Sequence, residues 1–328
     1  MNTVKKYGEV RTDTIFHNIA AVNDVAASNA QILSSLQSPL HVVIVGGTSG
    51  IGRGFAHTIN RLCPAAHVTI IGRNESAANE ILSQLGSNGS FIRADVSLMS
   101  EIRTITKKIK AVDILVLSQG VISMDAFART KENINYALAL NYYGRVLFIE
   151  ELLPLLRTSP LGGKVVSVLN SKKGDPSKIN WNNMGLETKC SFLVAINHAF
   201  AFNDLIIQYL ASQPENSNVT FIHSFPGHVK TPIIDNLPFY IRLPIKAVGA
   251  IRRLAVSPDE CAEFMIHANA ARRLNTTVFC YACLKRFMGK ISGTMICVLP
   301  RQQEINLLNP NFLFGNDMAL IKGNKHMT

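Results

Sequence analysis

Short, wholly apolar runs alternate along the chain with longer stretches whose apolar positions recur every three to four residues. Residues 42–45 read Val-Val-Ile-Val and end directly in glycine, as a strand buried on both faces of a parallel sheet does. The pattern then predicts a helix from Ile51 to about Leu62, a strand at 67–71, a helix at 75–85 and a strand at 90–93. A helix at 100–111 and a strand at 113–117 follow, then a long amphipathic stretch over 132–156, a strand at 164–169, a helix at about 190–211 and a strand at 219–224. Strand, helix, strand within some 30 residues is a βαβ unit whose crossover is right-handed. Its repetition predicts an α/β protein built on a three-layer, doubly wound parallel sheet, the Rossmann fold.

Past Pro226 the regularity fades, with Pro232, Pro238 and Pro244 interrupting apolar helical pattern. Ser257-Pro-Asp-Glu260 restarts a helix, with Ser as N-cap, Pro at the first helical position and Glu three residues after the cap. The run 294–299 is a candidate edge strand. Residues 1–40 read as an N-terminal extension with one helical piece near 26–36, and 41–328 as a single domain, since one doubly wound sheet uses most of 328 residues. Within it, 233–256 reads as a substrate flap.

Composition refines this only in part. The chain is 47% hydrophobic and 17% charged, ordinary for a soluble α/β protein, and carries a formal charge of +11. That excess asks for an anionic partner, yet no Lys/Arg tract or aromatic-interleaved basic stripe points to nucleic acid. Cys280 and Cys283 are the one close pair among six cysteines; without a second pair or His ligands they make no zinc site, and no metal is expected. No signal peptide or continuous apolar span is apparent, so a cytoplasmic location is the default expectation. Leu237–Val256 is interrupted by Arg242, Lys246, Arg252 and Arg253, leaving a membrane surface open as a weaker partner. A homo-oligomer is open as well.

The chemistry begins between the first strand and first helix, at Gly46-Gly-Thr48-Ser49-Gly50-Ile51-Gly52. Glycines there let the backbone turn tightly and let a diphosphate approach the helix N-terminus, where free N–H groups and the helix dipole favour anions. A dinucleotide fold shows its coenzyme preference at the end of the second strand. An acid there binds the ribose 2′-hydroxyl of NAD, whereas this chain has Gly72-Arg73-Asn74. An Arg offers a planar fork to a 2′-phosphate, so NADP is the expected cofactor.

These residues resemble the short-chain dehydrogenase/reductase family, in a fungal-type subgroup. Gly46, Gly50 and Gly52 resemble its TGxxxGxG motif. Asp95, in Arg93-Ala-Asp-Val96, matches the Asp beside the adenine ring. Ser118-Gln-Gly120 stands at the NNAG turn with only the glycine kept. Asn141, in Asn141-Tyr-Tyr-Gly144, matches the Asn of the proton relay. Pro226-Gly227-His228-Val229-Lys230-Thr231 resembles the PGxVxT stretch at the nicotinamide end. The resemblance covers about residues 40–235. It implies an oxidoreductase, with some subgroup members in secondary-metabolite pathways.

The resemblance is broken at the reacting centre. The family places a Ser after the fifth strand and Tyr-x-x-x-Lys on the next helix, where the Lys tunes the Tyr as general acid–base. Ser171 matches the Ser, with Asn170 beside it as the alternative. The Tyr position falls on Cys190 and the Lys position on Val194. A helix running through 190 turns Lys189 about 100° away from it, and a thiolate needs an electropositive neighbour to be reactive. Tyr142, Tyr143 and Lys172 are alternative acids, and the literal Tyr281-Ala-Cys-Leu-Lys285 lies too late in the chain to take part. His198, His223 and His228 show no spacing for a metal or triad, although His228 stands in the nicotinamide turn. The catalytic candidates are thus Asn141, Ser171, Cys190 and Tyr143. Phe239, Tyr240, Ile241 and Leu243 in the flap point to a medium-sized apolar substrate. Two readings follow: an NADP(H)-dependent oxidoreductase acting on a carbonyl or alcohol, and a pseudo-enzyme or a non-redox cyclase or isomerase on the same scaffold.

Overall fold

The first strand of the computed structural model is β1, His41–Val45, whose last four residues are buried; the structure describes residues 22–34, 39–171, 173–188, 190–227, 229–233, 256–270, 278–281 and 297–298. β1 runs into α2 (Gly50–Leu62), which follows an N-terminal α1 (Val22–Ser34). Then come β2 (His67–Gly72), α3 (Glu75–Leu85), β3 (Gly89–Arg93), α4 (Met99–Thr106) and β4 (Ile114–Leu117). The short α5 (Tyr136–Leu138), α6 (Gly144–Arg157), β5 (Gly163–Val168), α7 (Phe192–Ser212) and β6 (Val219–Phe225) continue the alternation. The described chain closes with α8 (Pro258–Ala270), β7 (Val278–Tyr281) and β8 (Cys297–Val298).

The eight strands form one sheet in the order β3-β2-β1-β4-β5-β6-β7-β8. All pairings are parallel except β7 with β8. The strand order reverses at β1, so β1 and β4 flank the switch point where a doubly wound sheet opens a crevice beyond its strand ends. Helices cover both faces, over two apolar clusters. One holds α4, α6 and α7 against β1, β4 and β5; the other holds α2, α3 and α8. This is the expected Rossmann architecture.

The segment expected to precede the fold is part of it. Val25 and Leu33 of α1 are buried, and Asn29 donates to the backbone oxygen and to the carboxylate of Glu263 on α8. Arg61 of α2 reaches the same carboxylate. At α8 the expected capping box is present: the Glu260 amide donates to Ser257 Oγ at 3.1 Å, and the Ser257 amide to Glu260 Oε2 at 2.8 Å.

Three boundaries differ from expectation. The stretch 132–156 becomes helical only at Tyr136. Thr130 Oγ1 accepts the amides of Glu132 and Ile134, Asn133 takes φ 59°, and Asn135 accepts the Leu138 amide as N-cap. Short polar side chains have outcompeted the helix here, and Glu132 instead accepts the first amides of α4, from Met99 and Ser100. Residues 139–143 then form a π turn before α6. The helix expected over 100–111 stops at Thr106, whose hydroxyl bonds back to the Ile102 carbonyl, just before a lysine-rich segment.

Third, α7 begins at Phe192 with Ser191 as N-cap, its side chain accepting from the Val194 amide. Cys190 therefore precedes the helix, and the helical angle between 189 and 190 does not apply. β7 was not legible in the sequence, while the edge strand expected at 294–299 appears as β8. Tyr281 ends a strand, and Cys283 and Lys285 lie outside the described residues, as do Lys172, Lys189, His228 and flap residues 234–255, Phe239, Tyr240, Ile241 and Leu243 among them.

Candidate functional site

Five glycine contacts draw separate motifs to one edge of the sheet. Gly46 adopts φ +79°, and a Cβ there would stand 2.7 Å from the backbone nitrogen of Gln119. A Cβ on Gly52 would meet Ser118 Oγ at 2.4 Å, and one on Gly50, itself at φ +52°, would touch Thr231 at 3.2 Å. One on Gly72 would strike Thr48 at 2.9 Å, and one on Gly120 would strike Asn141 Oδ1 at 2.9 Å. Residues 46–52, 72, 118–120, 141 and 231 are thereby one surface, at the carboxyl ends of β1, β2, β4 and β6. Side chains at these glycines would fill it.

The start of α2 suits an anion. Ser49 is its N-cap in extended conformation, and its side chain makes no capping bond, so the first-turn amides of Gly50, Ile51 and Gly52 are not spent on it. Arg73 is exposed at the end of β2 with no ion pair among the described residues, while nearby Arg93 is paired with Glu75. Asn74 is committed locally, as N-cap of α3 accepting the Ala77 amide at 3.1 Å. A glycine cradle and an uncapped helix start fit the diphosphate of a dinucleotide, and Arg73 leaves an exposed guanidinium at the end of β2.

Other expected contacts serve the frame. Asp95 accepts from the Ser97 amide and hydroxyl, at 3.1 and 2.8 Å, turning the chain into α4. Val96 is buried beneath Gly144. Ser118 Oγ donates to the Val45 carbonyl at 2.8 Å and ties the ends of β4 and β1. Gly227, at φ +72°, turns the segment after Pro226, and Val229 pairs with Val256 as an isolated bridge.

The catalytic candidates are arranged less simply. Asn141 sits in the π turn, where its carboxamide is engaged at both ends by Val121: Nδ2 donates to the carbonyl at 2.9 Å and Oδ1 accepts the amide at 3.0 Å. Its own carbonyl accepts from Asn203 Nδ2 on α7 at 2.7 Å. Asn141 thus holds the 120–121 turn. Ser171, just past β5, has a buried hydroxyl with no partner in the structure, as does the whole carboxamide of Gln119. Buried polar groups are costly to leave unpaired, at about 1–3 kcal/mol each, and a bound molecule is one way to pair them. Cys190 donates its thiol to the Ser191 carbonyl, and burial pushes its pKa up rather than down. Tyr143 is buried, its ring centroid 5.1 Å from that of Tyr142. Burial, with Glu150 adding to it, pushes the Tyr142 phenol well above the ordinary range.

The sequence reading passed over Arg145 and Gln119, and saw no partner for His223. Arg145 is 1% exposed. It donates to the Leu117 carbonyl at 3.0 Å, to Ser167 Oγ at 2.8 Å and to the Gln119 carbonyl. Ser167 Oγ in turn lies 3.2 Å from Asn203 Oδ1. His223 Nδ1 lies 2.5 Å from Asp204 Oδ1, an α7–β6 pair that sequence spacing conceals. An arginine directly after Gly144, leading the apolar run Val146–Ile149, was the available signal for Arg145. Among the described residues no three His, Cys, Asp or Glu side chains gather as a metal site.

Comparison with known proteins gives these features a context. The family model of short chain dehydrogenase matches residues 40–183. An oxidoreductase of Emericella nidulans, AN1596, is 36% identical over 227 residues, covering 66% of each chain. The oxidoreductase andH of Emericella variicolor is 31% identical over 62% of each. The chain thus spans slightly under two thirds of the length of these relatives. A solved short chain dehydrogenase/reductase family protein superposes with a TM-score of 0.53 at 22% identity, covering 74% of this chain and 95% of its own.

Proposed function

Starting from the premise that this chain belongs to the short-chain dehydrogenase/reductase family, we propose that it is an NADP(H)-dependent oxidoreductase acting on a carbonyl or alcohol of a medium-sized apolar molecule. A nicotinamide coenzyme follows from the family; the choice of NADP rests on the unpaired Arg73 beside the Gly72–Thr48 contact. In this reading the amides of Gly50–Gly52 take the diphosphate and Arg73 takes the 2′-phosphate, with charge-assisted hydrogen bonds. When bound, the coenzyme supplies the hydride chemistry, and the protein supplies binding and orientation. In the same reading Ser118, Gly120 and Asn141 shape the floor of the crevice, and Ser171, whose buried hydroxyl has no partner, is the group proposed to meet a substrate oxygen.

The apolar substrate is supported by the rim. The large apolar side chains most open to solvent among the described residues are Met124, Phe127, Trp181, Leu193 and Ile233. Four of them lie on connections that leave the carboxyl ends of β4, β5 and β6, where the crevice opens, and Leu193 stands in the first turn of α7. An apolar lining orients a ligand by shape, with a few polar groups fixing its register.

A second reading, a pseudo-enzyme or a non-redox cyclase or isomerase, is favoured by one observation. Asn141 has no free polar end; the sequence resemblance, besides, sets Cys190 and Val194 where the family carries its Tyr and Lys. Fluorescence titration separates the coenzyme part of the proposal. NADPH binds more tightly than NADH, and Arg73→Ala weakens NADPH by about tenfold, the scale of one charge-assisted bond, with NADH unaffected. Equal affinity for both coenzymes refutes the role given to Arg73. Tight NADPH binding with no turnover across a panel of apolar ketones and aldehydes selects the second reading.

A further inference from the structure

Arg145 is the one fully buried arginine among the described residues, and it has no carboxylate within ion-pair range. A buried guanidinium is normally paired, because desolvating an uncompensated charge is expensive. This one is held by neutral acceptors alone: the carbonyls of Leu117 and Gln119 and the hydroxyl of Ser167. Its Nε has no partner. Burial pulls its pKa down to about 9, which still leaves it charged at neutral pH. Asp204, next to Asn203 in the chain, is bonded to His223 and not to this network. Glu151, further along α6, is bonded to Arg103.

Its position gives this charge a consequence. Leu117 ends β4, Gln119 follows it, and Ser167 lies near the end of β5, so the guanidinium lies beneath the β4–β5 half of the switch-point crevice. Arg145 Nη2 would stand 3.6 Å from a Cβ on Gly120, the same point that Asn141 Oδ1 would approach at 2.9 Å. The adenosine half of a dinucleotide is directed over β2 by Arg73 and the phosphate loop, which leaves the nicotinamide half over β4 and β5. Oxidised nicotinamide carries a positive charge that the reduced ring lacks.

We propose that Arg145 biases this crevice toward the reduced coenzyme, by placing an uncompensated positive charge under the nicotinamide ring. The inference rests on the coenzyme reading above and deepens it, because it assigns the site a preference between the two redox forms of the coenzyme. A unit charge on the order of 10 Å away, through protein of effective dielectric about 20, shifts an equilibrium by about tenfold.

The test compares three probes by titration calorimetry: NADPH, NADP+ and 2′-phospho-ADP-ribose, which lacks the nicotinamide nucleotide. The wild-type protein binds NADPH about tenfold more tightly than NADP+, equivalent to roughly a 30 mV shift in the bound two-electron couple. Arg145→Met brings the two affinities toward equality and leaves 2′-phospho-ADP-ribose unchanged, and Arg145→Lys keeps most of the wild-type ratio. Wild-type protein that binds NADP+ as well as NADPH, or better, overturns the inference without any variant. So does an Arg145→Met protein that weakens all three probes in parallel, since a structural role alone does that. Failure of every probe to bind the wild type refutes the coenzyme reading itself, and this inference with it.

Discussion

Asn203 shows how a single side chain ties the candidate site to the core. Its Nδ2 serves the carbonyls of Asn141 and of Ala199, the latter within its own helix at 2.7 Å, and its Oδ1 faces Ser167. The π turn at 139–143 shifts the carbonyl of Asn141 out of the α-helical ladder, and Asn203 accepts that burden. A leucine of similar size keeps the packing but leaves buried acceptors without donors. Asn203→Leu is expected to lower stability by about 1–3 kcal/mol, read as a shift of the denaturant midpoint at unchanged m-value. A neutral result means that water reaches Asn141. Most of this network was invisible in the sequence, since Asn141, Ser167 and Asn203 lie on three different elements. Asn141 itself was legible from its motif, but its commitment to Val121 was not.

Among the elements, α7 and the segment leading into it are coupled by a histidine that works only when neutral. His198 is buried on α7, and its Nε2 accepts the Asn180 amide at 2.9 Å. Desolvation lowers its pKa, opposed in part by the backbone carbonyl of Met184, an acceptor that favours the protonated ring. The folded pKa therefore lies below the unfolded value of about 6.5. Between the two the unfolded chain binds more protons, so stability is intact above pH of about 6.5 and falls as pH drops below it. The melting temperature should decline on acidification through this range, and His198→Gln, which retains an acceptor for Asn180, should flatten the decline. An unchanged profile in the variant assigns the acid sensitivity elsewhere, His267 being the next candidate because burial lowers its pKa too. The pattern of apolar positions located α7 to within two residues. It could not place Cys190 outside the helix, because the stop is set by one hydroxyl, that of Ser191, capping the Val194 amide.

For the whole molecule, α1 closes the face that α2 and α8 leave open. Val25 and Leu33 are buried there, and Asn29 satisfies a glutamate that is itself almost wholly buried. Residues 1–40 read as an appendage because their amphipathic signal is short and no motif lies within them. Removing residues 1–35 is expected to cost about 3 kcal/mol or more from the two apolar side chains alone, a fall in melting temperature of roughly 6–12 °C. A truncated chain that melts with the full-length one shows α1 to be dispensable.

What the chain specifies locally was readable from it: the βαβ alternation, the glycine turn at 46–52, the cap at Ser257 and the basic residue closing β2. Each depends on neighbours within a few residues, where backbone geometry and periodicity act directly. The tertiary structure decided the rest. Only folding brings Gly46 against Gln119, Gly50 against Thr231 and Arg145 beneath the ends of two strands, because burial without a counter-charge is a property of the surroundings and not of the residue.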